Sequence, residues 1–211
     1  MHPPHIDLPP MLLASYFAGM VIMPHCKCSV ALKGHQGEIA RHAYKTSRDL
    51  ALIQTKYEHK AYKKGCYVKI DELEEVDDSI VRLKVTGISR FTSTNILKVQ
   101  NFKHNFLEVE YDYFKNDYDE TKSILNLEEI NPFLLNYMMA FLLDVGMHSE
   151  INGIDNLSMD KFLNSLIMVM PMRDIERDYL SELTTTKEKE DALSVILRDN
   201  EIGLTSNQIF H

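Results

Sequence analysis

The segment spanning residues 65–91, GCYVKIDELEEVDDSIVRLKVTGISRF, constrains the fold more than any other part of the chain. Val68 and Ile70 alternate with polar neighbours, and so do Val81, Leu83 and Val85, which is the period-2 pattern of half-buried strands. Between them, the run from Glu74 to Ser79 is too charged to bury and reads as a solvated hairpin turn. Gly87 interrupts the second strand, where a residue without Cβ permits a bulge or a sharp bend. Beyond it, Arg90 and Phe91 occupy adjacent strand positions and point to opposite faces, so one face gains a cation and the other an aromatic ring. Such a strand suits the wall of a small, strongly curved β-barrel. The acidic run itself lacks the alternating oxygen ligands and glycine of an EF-hand loop, so Ca²⁺ is not expected there.

Further strands are expected at residues 50–54, 67–71, 80–85, 91–99 and 105–113, where β-branched and aromatic residues alternate with polar ones. In the last of these, Leu107, Val109, Tyr111 and Tyr113 share one face, while Phe106, Glu108, Glu110 and Asp112 share the other. One helix, from about Glu38 to Arg48, interrupts the β region. After residue 120 the period becomes helical. Asn131 and Pro132 form an N-cap and first-turn signature, Leu134, Met138, Phe141, Leu142 and Val145 follow at helical spacing, and Gly146 marks a stop. Ser158 caps a second helix, whose stripe runs from Met159 through Phe162, Leu163, Leu166 and Ile167 to Met170 before Pro171 ends it. A third helix is expected to turn Ile175, Tyr179, Leu180 and Leu183 inward. A fourth opens on a Thr185–Glu188 capping box and turns Ala192, Leu193, Ile196 and Leu197 inward. The boundary falls at residue 120, with a β-rich region over 1–120 and a helical one over 121–211.

Charge narrows the function. The net charge is −8, and it is unevenly placed. Residues 1–120 hold 16 Lys+Arg against 16 Asp+Glu, whereas residues 121–211 hold 7 against 15. A body without a basic stripe is a poor polyanion binder, because nucleic-acid affinity rests on phosphate neutralisation. Three cysteines do not make a disulfide framework. The opening MHPPHIDLPP lacks the basic n-region of a signal peptide, and the apolar runs at 11–23 and 133–143 fall short of the ~20 residues a span needs. A soluble protein in a reducing cytoplasm, with no membrane partner, is the expectation.

Three blocks in a fixed order carry a resemblance. Leu8-Pro9 is followed by Phe17-Ala18-Gly19, Met20-Val21-Ile22 and Met23-Pro24-His25. Gly65 precedes the strand at 68–70, the acidic turn, Gly87 and Arg90-Phe91. SMDKFLNSLIMVMPMRDIERDYL joins an amphipathic helix, an apolar-Pro-apolar break and a charged helix. Together these resemble the N-terminal, substrate-binding domain of the ATP-dependent Lon proteases, over roughly residues 6–200. The resemblance implies an α+β fold, in which a PUA-like twisted β-barrel with one helix is followed by an α-helical bundle. It departs after His25, where the family runs Phe-Glu-Pro-Arg-Tyr and this chain has Cys26-Lys27-Cys28-Ser29-Val30. The residues that match the motif are Gly19, Pro24, His25, Gly65, Gly87, Arg90 and Phe91, and they are read as mainly structural. Arg90 is expected to pair with a carboxylate or a backbone carbonyl at the barrel's end, with Phe91 in the core.

The sequence has no Gly-x-x-x-x-Gly-Lys-Ser/Thr phosphate loop and no counterpart of the family's Ser-Lys peptidase domain. A non-catalytic recognition module standing alone, without a cofactor, is therefore expected. Its partners would be unfolded or degron-bearing polypeptides, with a role as an adaptor that delivers them to a protease. The alternative is a PUA-like small-molecule or RNA binder, for which Lys56, Lys60, Lys63 and Lys64 would supply a local basic patch.

Met11, Met20 and Met23 are the candidates for a partly exposed peptide groove, since methionine re-packs readily against varied partners. His25, Cys26 and Cys28, with Cys66 elsewhere, are soft metal ligands by type. Cys-x-Cys without a second pair favours buried small hydrophobes, so no metal is expected. Gly34-x-x-Gly37 reads as a loop entering a helix rather than a phosphate clamp.

Overall fold

The fold is α+β, and its β part is organised around one long strand. The structure is a computed structural model that describes residues 8–18, 20–56, 60–61, 64–98, 105–111, 114, 117, 130–144 and 157–207. The chain divides into two units, Met1–Glu120 and Thr121–His211. In the first, the order is β1 (Met11–Phe17), β2 (Lys27–Lys33), α1 (Gly34–Lys45), β3 (Asp49–Lys56), β4 (Lys60–Ala61), β5 (Lys64–Glu75), β6 (Ile80–Lys98) and β7 (Asn105–Glu110).

Strand β6 is 19 residues long. It is a single element where two were expected, because Gly87 is absorbed within the ladder rather than ending it. The register with β5 slips between Tyr67 and Val68, which face Ser89 and Gly87, and again between Ile70 and Glu72. Such bulges bend a strand without breaking it. The first half of β6 pairs with β2 and the second half with β7, while β5 runs along much of both. Strand β1 is bonded to β7 on one side and, in parallel, to β3 on the other. β3 is bonded to β5, so the pairings β1-β7-β6-β5-β3 return to β1.

Alternate residues of the strands feed two apolar clusters. Leu13 and Phe17 of β1 and Leu50 and Leu52 of β3 join Val68, Val81, Leu83 and Val85 in one cluster. Leu12, Ala14, Ala51 and Ile53 join Phe91, Leu107, Val109 and Tyr111 in the other. A strand buried on both faces shows no period of two, which is why β1 was not among the expected strands. Helix α1 places Ile39, Ala40 and Ala43 in the first cluster. Its Gln36 ties it to β1, accepting from Ser15 Oγ at 3.1 Å and Tyr16 N at 2.8 Å. It starts four residues earlier than the periodicity suggests, directly out of β2.

The second unit contains α2 (Pro132–Asp144), α3 (Met159–Val169), α4 (Asp174–Glu182) and α5 (Thr186–Asn207). Asn131 Oδ1 accepts from Phe133 N at 3.0 Å, Ser158 Oγ from Lys161 N at 3.3 Å, and Thr185 with Glu188 forms the reciprocal box. Arg177 closes the far end of α3, donating to the carbonyls of Met168 at 2.8 Å and Met170 at 2.9 Å. Gly146 and Val145 lie outside the described residues, as do Asp112 and Tyr113. No helix among the described residues is long and apolar enough to cross a membrane.

Candidate functional site

The motif residues of the first unit converge on a tie between β6 and the turn that precedes β2. His25 adopts a positive φ of 64° there. His25 N donates to Gly87 O at 2.8 Å, and Gly87 N donates to Cys26 O at 2.9 Å. A Cβ at Gly87 would lie 2.3 Å from Met23 O, so no side chain fits. Gly65 is held as tightly, with Leu52 O and the Phe91 ring each 2.7 Å from where its Cβ would be. Two and three residues beyond the bulge, Ser89 and Arg90 are both buried. Arg90 donates to Asp117 from Nε at 2.8 Å and from Nη2 at 2.6 Å, with the Phe114 ring 4.4 Å from its guanidinium carbon. His25 Nε2 lies 2.6 Å from Asp117 O. Every polar contact named here is internal, and Phe91 is fully buried. Gly19 lies outside the described residues, as does Lys63.

The methionine candidates separate. Met11 is 54% exposed and Met20 36%, but Met23 is completely buried against the Gly87 backbone and cannot line a surface groove. Cys26 and Cys66 are buried, Cys28 is half-buried, and all three are free thiols. Burial pushes the Cys28 thiol up to about 11, with Cys26 adding to the shift, and burial raises Cys66 well above its ordinary value. Among the described residues, no group of three or more His, Cys, Asp or Glu side chains is placed to hold a metal ion.

The helical unit carries a feature that hydrophobic periodicity misassigned. Ile175 and Tyr179, expected inward, are 68% and 55% exposed, and the buried positions of α4 are instead Glu176 and Leu180. In α5 the buried stripe is Lys189, Leu193 and Leu197, with Lys189 Nζ donating to Asn164 Oδ1 at 3.0 Å and lying 3.7 Å from Asp160. Because Glu176 and Lys189 take inward places, the apolar residues beside them turn outward. The result is a groove of about 480 Å³ between α4 and α5. Half-buried Leu183, Ala192 and Ile196 form its floor, and Tyr179 and the 60%-exposed Val195 stand above them. Glu188 and Asp191 complete its lining. The legible signal was the spacing Glu188, Asp191, Ala192, Val195, a second stripe on the same helix.

No protein-family profile matches the sequence, and no curated protein matches it. Solved structures do. The chain is similar to the N-terminal domain of the Mycobacterium avium complex Lon protease, with a TM-score of 0.67 at 13% identity, over 87% of this chain and 95% of that one. It is also similar to a Lon N-terminal domain protein from Xanthomonas campestris, with a TM-score of 0.61 at 15% identity, over 88% and 97%. Sequence identity this low carries the architecture and nothing finer, and on that footing the chain has the fold of the Lon protease N-terminal domain.

Proposed function

We propose that this chain is a non-catalytic module that binds polypeptides, of the kind the Lon N-terminal fold suggests. In this reading the returning circuit of strands is a PUA-like barrel, and the four described helices of the second unit belong to a bundle that presents the binding surface. The observation that carries it is the exposed apolar groove between α4 and α5. Contiguous apolar side chains left in water mark interaction sites, and helix-lined grooves accept apolar anchors of a peptide without any catalytic group. The thiols support the same view, since burial keeps Cys28 and Cys66 in their weakly nucleophilic protonated form. Delivery of the bound segment to a protease is the adaptor role this reading extends to.

The test is equilibrium binding of the full chain to a reduced, carboxamidomethylated protein of near-zero net charge, to its native form, and to a single-stranded RNA homopolymer. Binding of the unfolded form alone is expected, and casein incubated with the chain stays intact. Retention of RNA with a steep salt dependence, or indifference to all three probes, overturns the proposal.

A further inference from the structure

We propose that the α4–α5 groove takes amphipathic segments that carry Lys or Arg beside their apolar anchors. This rests on the polypeptide-binding reading and names the chemistry of the bound segment. The apolar part of the argument is geometric. Leu183, Ala192 and Ile196 make a floor contributed by both sides, Tyr179 and Val195 rise from it, and Ile175 extends the apolar strip one turn along α4. A volume of about 480 Å³ lies within the range of clefts that hold ligands.

The two charged groups that line it, Glu188 and Asp191, are both acidic, and most of the nearby cations are turned to other groups. In α4 and α5 the basic residues are Arg177, Lys187, Lys189 and Arg198, and at the N-cap of α4 Arg173 donates to Glu176 from Nε at 2.8 Å. Arg177 is spent on the carbonyls of Met168 and Met170. Lys189 is buried against Asn164 and Asp160. Arg198 stacks over the Phe133 ring, its guanidinium carbon 4.9 Å from the centroid. Lys187 alone reaches a lining carboxylate, pairing with Asp191 at 3.0 Å. Glu188 is held by Thr185, whose Oγ1 donates at 2.8 Å and whose backbone N–H donates at 3.1 Å. Those neutral donors keep the carboxylate ionised without cancelling its charge. An occupant with an acidic flank meets repulsion at this edge, and one with a basic flank meets attraction.

The experiment uses the full chain and three dye-labelled amphipathic peptides of one length, built from leucine with lysine, with glutamine or with glutamate. The expected order of affinity is lysine, glutamine, glutamate. Val195→Asp is expected to weaken the glutamine peptide at least about tenfold, since it places a charge among the apolar anchors. The double variant Glu188→Gln/Asp191→Asn keeps a capping amide and is expected to weaken the lysine peptide about fivefold in low salt, with little effect on the glutamine peptide. Equal affinity for all three peptides overturns the proposal, as does undiminished binding of the glutamine peptide by Val195→Asp. Sedimentation that shows a dimer broken by Val195→Asp assigns the groove to a second copy and overturns it too. The two readings fail differently. If Val195→Asp binds the unfolded neutral protein like the parent chain, the groove assignment falls and polypeptide binding stands. If the parent chain binds no unfolded protein and no peptide, both fall.

Discussion

The carboxylate of Asp117 holds Arg90 at three points, accepting from Nη2 at 2.6 Å, from Nε at 2.8 Å and from the Arg90 backbone N–H at 2.9 Å. Both side chains are almost wholly removed from solvent. A buried pair of this kind is most sensitive to losing one member, since the other is then left charged without compensation. Asp117→Ala is expected to cost about 3–5 kcal/mol in urea unfolding. Arg90→Lys is expected to be destabilising as well, because an ammonium cannot reproduce the planar two-point contact. A loss below about 1 kcal/mol for Asp117→Ala would show that the pair does not anchor the unit.

Gly87 is required by proximity, not by backbone angle. A methyl group there would lie 2.3 Å from Met23 O, and that oxygen belongs to a main chain already bonded to β6 through His25 and Cys26. Gly87→Ala is therefore expected to cost about 1–3 kcal/mol or more, since the turn must move as a body. Gly34 is the opposite case, with a φ of +54° and nothing within 4 Å of its Cβ position. Gly34→Asn, which tolerates that conformation, is expected to change stability by no more than about 0.5 kcal/mol. Equal losses for the two variants would refute the distinction.

How much of this was legible depended on whether a residue's partner could be read from the same stretch of chain. The hairpin of β5 and β6 and the caps at Asn131, Ser158 and Thr185 rest on local pattern, and the sequence shows them directly. Asp117 is different. It sits in a stretch crowded with acids and tyrosines, and nothing local marks it as the partner of a residue 27 positions away. Strand β2 carries a visible alternation of Cys28, Val30 and Leu32 that the expected strands omit. The groove was hidden by assuming that apolar residues at helical spacing face inward. Glu176 and Lys189 hold inward places because each finds polar partners there, Glu176 at the start of α4 with Arg173 and Lys189 with Asn164. Pattern reading assigns such residues to solvent, and so it misplaced their neighbours Ile175 and Tyr179.

The cysteines give a kinetic prediction. With its thiol at about 11, Cys28 exposes at pH 7.5 only ~3 thiolates in 10⁴ molecules. Relative to the same thiol at its ordinary 9.0, alkylation by iodoacetamide is expected to be ~100-fold slower in the folded chain, and to accelerate about tenfold per pH unit up to the thiol's own pKa. Peptide mapping after timed labelling, with and without urea, checks this. Labelling of Cys28 in the folded chain at the urea rate would contradict the burial described above.

Glu188 gives the acid limb of stability. Hydrogen bonds from the Thr185 side chain and backbone hold its carboxyl below the ordinary 4.5. Its folded value is thus lower than its unfolded one, so its stabilising contribution is present above the unfolded value and is lost as pH falls through the folded one. The change belongs at and below about pH 4.5, and at neutral pH the contribution is complete. An NMR titration should place the Glu188 midpoint below that value. Glu188→Gln retains an amide able to cap the helix but cannot titrate, so its unfolding midpoint should depend less on pH in that window than the parent's. A Glu188 midpoint at or above 4.5 would mean that the Thr185 box is open in solution, and that the edge of the groove is not fixed by the cap.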